Sequence, residues 1–306
     1  MNTTPVYFAG IDIGSTASKT VVLKDGKIED YFVLPTGWNG RETANAILEQ
    51  LKIRGYADAM RCVATGYGRI CVDYADKIVT EITCHGKGGW AIFKKNMTII
   101  DVGGQDTKMI KVIDGQVADF LMNDKCAAGT GKFIEVMATR LGADLNEMYE
   151  MAAHGQPLAI SAMCTVFAES EVISHIGSGE KREDIAAGVI HSVASRVANL
   201  AARFGLEENI VLTGGLCESP YFIQTLSDKI GRSSSFSTES PCAVASNQQP
   251  QLMTDSMACR SSLLPISSTA STSGFMERSI ISIPLTFEQA SSTSVRIPTS
   301  FWGTPR

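Results

Sequence analysis

The sequence predicts an α/β fold made of two similar halves, and three observations carry the prediction. A short motif occurs twice: GIDIGSTASKTVVL sets out Asp12, Gly14, Ser15, Ser18 and Lys19 in the order that IIDVGGQDTKMIKV repeats with Asp101, Gly103, Gly104, Thr107 and Lys108. The order of apolar strands and amphipathic helices around each copy recurs as well. Beyond Arg232 the composition changes abruptly.

Each motif ends an apolar run, Val6 to Ile13 in one copy and Met97 to Val102 in the other, and leads into a β-rich stretch. That pattern reads as a strand, a glycine turn and a returning strand. The first half continues with strands near 18–24 and 28–34, a helix from Arg41 to Leu51, a strand from Met60 to Thr65 and a helix around 84–91. From about residue 97 the order returns, with strands near 97–102, 107–113 and 116–121, helices near 131–141 and 184–203, and a strand from Ile210 to Thr213. Residues 1–96 and 97–232 are therefore expected to be two halves with a nucleotide cleft between them, the second carrying a helical insertion. Residues 233–306 hold 19 serines and neither lysine nor histidine. Such Ser/Thr-rich chain is expected to be a disordered tail. A shift of reading frame near residue 232 is the alternative.

The motif spacing suits polyphosphate. Glycine at the turn lets backbone N–H groups approach closely, and the hydroxyls of Ser15 and Thr16 add donors. Asp12 and Asp101, two residues before the turn, are placed to hold Mg²⁺ through water, since Mg²⁺ keeps much of its hydration shell. One Asp-x-Gly turn is common and uninformative; two in equivalent contexts point to a nucleotide clamped from both sides. Gln105, next to Gly103 and Gly104, carries an amide that can orient a water for in-line attack on a γ-phosphate. Asp106, one residue along a strand, is expected to face the other way. Lys19 and Lys108 are expected to point along their strands away from the turn. Glu135, Glu169 and Glu171 fall on helices, where a charge is usually a solvated face.

A chain of 306 residues with 44% hydrophobic content can bury a sizeable core. A net charge of −5 gives no sign of a nucleic-acid partner. No run of about 18 unbroken apolar residues is present, and no N-terminal signal core, so a cytoplasmic protein away from membranes is expected. Eight cysteines in that setting suggest free thiols or metal ligation. Cys126 precedes the helical pattern Phe133, Val136, Met137, Leu141, and Cys164 precedes the helical run from Ala168 to Ile176. Both are expected near helix N-termini, where thiolate, the form that ligates iron, is favoured. The plainer alternative is that they are small buried residues. Cys62 reads as core, and Cys71, Cys84 and Cys217 lack partners at ligand spacing; His85 and His175 read as structural. No Cys-x-x-Cys occurs, so spacing reveals no iron–sulfur site.

The paired motifs, with IVLTGGLCESPYF near residue 210, resemble the actin, hexokinase and heat-shock-protein-70 ATPase superfamily. That likeness implies ribonuclease-H-like halves, with Gly214 and Gly215 closing over adenosine. TGYGR (Thr65 to Arg69), TEITCHGKG, FLMNDKCAAGTGKFIEVMATRLG and CTVFAESEVISHI are similar to the activators of 2-hydroxyacyl-CoA dehydratases, ATP-dependent iron–sulfur electron donors of the BadF/BadG/BcrA/BcrD ATPase type. The likeness runs from about Gly10 to about Arg232. It implies that Cys126 and Cys164 from both subunits of a homodimer hold one [4Fe–4S] cluster on the two-fold axis, which supplies the four thiolates such a cluster needs. It also implies ATP and Mg²⁺ as cofactors, a ferredoxin or flavodoxin as electron donor, and a dehydratase as acceptor of single electrons in anaerobic metabolism. In the activators a final strand and a Gly/Ala-rich helix stand where residues 233–306 depart from the pattern. Two rival functions share the hairpins: a small-molecule kinase, which has no use for the cysteine contexts, and a non-catalytic, nucleotide-dependent interaction protein.

Overall fold

The computed structural model describes residues 7–123, 125–161 and 164–231, so the Ser-rich 233–306 segment lies outside the described residues. Two sheets organise the chain. The first has strand order β3-β2-β1-β4-β5, built from β1 (Tyr7–Ile13), β2 (Ala17–Lys24), β3 (Lys27–Pro35), β4 (Met60–Thr65) and the two-residue β5 (Lys77–Ile78). The second has order β8-β7-β6-β9, from β6 (Met97–Val102), β7 (Thr107–Ile113), β8 (Gln116–Asn123) and β9 (Asn209–Thr213).

The duplication holds at residue level. β1 runs antiparallel to β2 with Asp12 opposite Lys19, and parallel to β4 with Asp12 opposite Thr65. β6 runs antiparallel to β7 with Asp101 opposite Lys108, and parallel to β9 with Asp101 opposite Thr213. Each returning strand carries a register shift at the same place, Val22/Leu23 and Lys111/Val112. Each then turns through an Asp-Gly pair in the left-handed region, Asp25-Gly26 and Asp114-Gly115, as a two-residue hairpin turn matching the strand twist requires.

Helix α1 (Gly40–Ile53) is capped by Asn39 and lays Ala44, Ile47 and Leu51 on the first sheet, against Ala9, Ile11, Ile13 and Ala64. Helix α2 (Glu81–Phe93) follows the first sheet in sequence but packs on the second, where Ile82, Trp90 and Phe93 meet Met97, Ile99 and Val211. It sits close: a side chain on Gly89 would lie 2.8 Å from Ile99 Cδ1. The other face of the second sheet is covered by α3 (Gly131–Arg140), α4 (Leu145–His154), α5 (Thr165–Gly177), α6 (Arg182–Phe204) and α7 (Pro220–Ile230). By length and apolarity α6 is able to cross a membrane, with mean hydropathy 1.3, but 67% of that window is buried in the protein, and Ile185, Val189, Val193 and Val197 form the middle of this core.

The expected strands and helices are all present. The structure adds α4, α7, β5 and short 3-10 turns, none of which the periodicity reading contains. Both added helices carry their own start signals. Asp144 and Glu147 form a reciprocal capping box at α4. At α7, Ser219 accepts a hydrogen bond from Phe222 N, Pro220 occupies the first turn, and Gly231 closes the helix in the left-handed region.

Candidate functional site

The two motif turns face each other. In the first, Gly14 N donates to Ala17 O (3.2 Å), and Thr36 ties the loop down by donating from its N–H to Thr16 O (2.9 Å). In the second, Gly103 N donates to Asp106 O (2.9 Å). A side chain on Gly104 would come 2.6 Å from Thr16 Oγ1 and 3.6 Å from Ser15 Oγ, so Gly14, Ser15, Thr16, Gly103 and Gly104 converge on one place. Ser15, Thr16 and Gln105 are exposed at the loop tips, while Asp12 and Asp101 are buried behind them.

Both halves complete this place with a Thr-Gly pair at the end of the parallel strand. Gly66 (φ +84°) follows Thr65, and Gly214 (φ +92°) follows Thr213. Any side chain on Gly66 would overlap Asp12 Oδ1 and Ile13 O, and one on Gly214 would overlap Val102 O. Gly214 therefore closes against the strand that leads into Gly103, and Gly215 opens the 3-10 turn Gly215–Glu218 beside it. Alanine at Gly66 or Gly214 combines left-handed strain with backbone displacement and is expected to destabilise by about 3 kcal/mol. Alanine at Gly205, also left-handed (φ +77°) but with open space around it, should cost about 1 kcal/mol. Urea midpoints that do not separate Gly205→Ala from the other two would contradict this packing.

The charges differ between the halves. Asp12 has Lys19 Nζ at 3.4 Å. Asp101 has Lys108 Nζ at 3.3 Å, a hydrogen bond from Thr213 Oγ1 at 3.0 Å and His85 Nε2 at 3.9 Å. Lys108 also meets Asp106 at 2.6 Å and Glu81 at 3.4 Å. Burial works against ionisation of Asp101, but His85, Lys108, Thr213 and Lys19 outweigh it and hold the carboxyl below its ordinary value. Burial likewise works against the Lys108 ammonium, and the carboxylates of Asp101, Asp106 and Glu81 reverse it and raise that pKa.

Both lysines therefore reach across the strand pair to their aspartates rather than pointing along the strands. Asp106 lies in the turn ahead of β7, not on a strand, and folds onto Lys108. His85, in the second turn of α2, joins that helix to the second sheet, with Nε2 3.9 Å from Asp101 Oδ1 and 3.2 Å from Thr213 Oγ1. The Thr-Gly pair repeated in ATGYG and LTGGL was the sequence signal for Thr65, Gly66 and Thr213. His85 left no such signal, because its neighbour arrives from a distant strand.

The segment holding Cys126 is bonded to the second turn. Gly131 N and Lys132 N, at the start of α3, donate to Gly103 O (2.9 Å) and Gly104 O (2.8 Å). Thr107 Oγ1 donates to Gly129 O (2.6 Å), and Asn123 Nδ2 donates to Cys126 O (3.2 Å) and Ala128 O (3.3 Å). Cys126 stands four residues before the Thr130 cap and so outside the helix end, whereas Cys164 is itself the N-cap of α5. Glu171 accepts a hydrogen bond from Ser161 N (2.6 Å), and among the described residues no hydrogen bond or ion pair joins it to the motif turns. Glu135 pairs with Lys132 on the surface, and Glu169 with Arg140. Burial raises the thiol pKa of Cys62 to about 12 and of Cys84 to about 11, so these two are protonated and unsuited to ligation. Among the described residues no three His, Cys, Asp or Glu side chains gather as a metal site. Val166, Phe167, Ile173 and Ile176 of α5, just beyond Cys164, are exposed.

The model of the BadF/BadG/BcrA/BcrD ATPase family matches residues 9–244. The 2-hydroxyisocaproyl-CoA dehydratase activator of Clostridioides difficile is 44% identical over 232 residues, covering 74% of this chain and 86% of that protein. The crystal structure of the Acidaminococcus fermentans (R)-2-hydroxyglutaryl-CoA dehydratase component A superposes with a TM-score of 0.69 at 43% identity, over 74% of this chain and 89% of that one. The activator of the 2-hydroxyisocaproyl-CoA dehydratase from Clostridium difficile, solved with bound ADPNP, also gives 0.69, at 36% identity over 86% of this chain and all of that one.

Proposed function

Because the chain belongs to the BadF/BadG/BcrA/BcrD ATPase family and has the actin-like ATPase fold, we propose that it is an ATP-hydrolysing activator that passes single electrons at low potential to a 2-hydroxyacyl-CoA dehydratase. The observation that carries this reading is the bonding of the Gly103-Gly104 turn to the start of α3 and, through Thr107 and Gly129, to the Cys126 segment. Whatever shifts the phosphate turn shifts the cysteine segment with it.

The residues present fit a nucleotide. The glycine turns leave room that a Cβ would fill, and Ser15 and Thr16 face Gly104 across the cleft. Gly14, Ser15, Thr16, Gly103 and Gly104 would hold the phosphates, Gly214 and Gly215 would flank the adenosine, and Asp12 and Asp101 would hold Mg²⁺ through water. Asp101 already has three compensating partners, so Asp12, with Lys19, is the carboxylate better able to take up further positive charge. Gln105, exposed at the turn tip, orients the attacking water. Asp106, engaged by Lys108, is poorly placed as the carboxylate base of a kinase. Hydrolysis supplies free energy to a conformational equilibrium; moving a population from 1:99 to 99:1 takes about 5.5 kcal/mol of differential binding.

The thiols fit a shared cluster. Cys164 is the N-cap of α5 and, like Cys126, is a half-buried free thiol, so both can be reached by a ligand. Two cysteines per chain leave a four-thiolate cluster open, so the reading requires a homodimer, and the exposed apolar face of α5 is suited to pairing with its copy. The cluster supplies a one-electron carrier, and the chain supplies its ligands and ties them to the nucleotide turns. Reduction would come from a ferredoxin or flavodoxin in the cytoplasm. The test is iron and acid-labile sulfide on protein reconstituted without oxygen, with about four irons per dimer expected. Colourless, iron-free protein that still binds ATP would move the assignment to a kinase or a nucleotide-dependent interaction protein.

A further inference from the structure

A cleft of about 210 Å³ opens beside the Cys126 segment, between the end of β8, Gly129 and one face of α6. Arg196 and Arg203 line it, with Asn123, Asn199, Met122 and Leu200. Among the described residues neither guanidinium makes a hydrogen bond or ion pair, although Arg54, Arg61 and Arg140 all pair with carboxylates and the chain is net negative. None of the lining residues is acidic. The cleft also touches the Cys126 segment directly. A side chain on Gly129 would meet Arg196 Cγ at 2.7 Å, and Asn123, which lines the cleft, donates to the carbonyl of Cys126. Exposed Phe120 and Met122 continue the surface along the edge strand β8, and Lys125 is exposed at its end.

We propose that this basic cleft is the docking site of the electron donor, a small carrier protein with an acidic face around its redox centre; the inference rests on the iron–sulfur reading above. Such a donor binds briefly through a small interface that charge steers and that Arg, Met and Phe typically centre. Two guanidiniums held on a core helix, with an apolar rim and no counter-ion among the described residues, supply that chemistry. Their position next to Cys126 keeps the electron's path to the cluster short. In the step itself the carrier's reduced centre loses one electron and the cluster gains it, with no bond made or broken.

The test compares cluster reduction, followed by the visible band, in the reconstituted dimer and in Arg196→Glu/Arg203→Glu, using either a reduced acidic ferredoxin or dithionite. Arg203→Glu alone, at an exposed position away from Gly129, serves as the variant that keeps the fold. With ferredoxin the double variant should react about tenfold or more slowly, and the steep fall of the wild-type rate with salt should flatten. With dithionite the two proteins should be alike. Unchanged ferredoxin rates and salt dependence would overturn the proposal. So would unchanged ferredoxin reduction combined with lost transfer to the dehydratase, which would assign the cleft to the other partner. Protein with no band that dithionite can bleach would overturn the iron–sulfur reading, and this inference with it.

Discussion

Serine in place of Cys164 is expected to yield a folded, ATP-binding protein that holds no iron. Cys164 is the N-cap of α5 but makes no capping hydrogen bond, and serine is among the preferred residues at that position. The substitution therefore removes a ligand while leaving the helix start at least as stable. Cys126→Ser should have the same effect on iron, because each chain gives two thiolates and a cluster short of two of its four is not retained. Iron should fall from about four per dimer to near zero in each variant, with nucleotide affinity and circular dichroism unchanged. Full iron content in either would remove the cysteine assignment.

The largest change in stability is expected at Lys108. Methionine there leaves Asp101, Asp106 and Glu81 without their shared cation, and removing one partner of a buried ion pair typically costs 3–5 kcal/mol. Lys19→Met breaks a single 3.4 Å contact and should cost about 2 kcal/mol. The pH dependence follows from the signs. In the native protein Asp101 is held below its ordinary value, so its contribution is present above about pH 4 and is lost as pH falls through the folded pKa. Lys108 is raised, so its contribution is present below about pH 10 and is lost as pH rises through the folded value. Without Lys108, one of the groups that hold the Asp101 pKa down is lost while His85, Thr213 and Lys19 remain, so the folded state takes up the proton more readily than the native protein does and the deficit of the variant should shrink toward pH 4. Urea denaturation at pH 7 and pH 4 measures this; a deficit equal at the two pH values would show that the network is not electrostatic in origin.

The halves were legible because each hairpin is local. Asp12 and Lys19, or Asp101 and Lys108, lie on one hairpin each, although the contacts of 3.4 and 3.3 Å between them run against the expectation that the lysines point away from the turn. The Asp25-Gly26 and Asp114-Gly115 turns were equally readable, as were the caps of α4 and α7, and they add weight to the duplication. The destinations of side chains were less legible. Periodicity gives Lys108 a direction but not its three acidic partners, since Glu81 comes from α2 and Asp106 from a turn that reads as strand. Helix α2 itself belongs to the first half in sequence and packs on the second sheet, a crossing that no local signal encodes. His85 gains its place at Asp101 only through that crossing.

The parallel pairing of β6 with β9 has a consequence for how the molecule is made. The bond from Thr213 to Asp101 spans 112 residues, and the helices that carry or flank both cysteines lie within that span. The matching pairing of Asp12 with Thr65 encloses a much shorter loop. In equilibrium terms the longer closure is a small burden, since each doubling of a loop costs only about 0.6 kcal/mol. In kinetic terms it fixes an order, because non-local pairings form slowly. The first phosphate turn can form while the second half of the chain is still disordered, but the second reaches its final geometry only once the intervening helices have packed. A nucleotide that needs both turns is therefore expected to bind late in folding, to chains in which the helices next to the two cysteines are already in place.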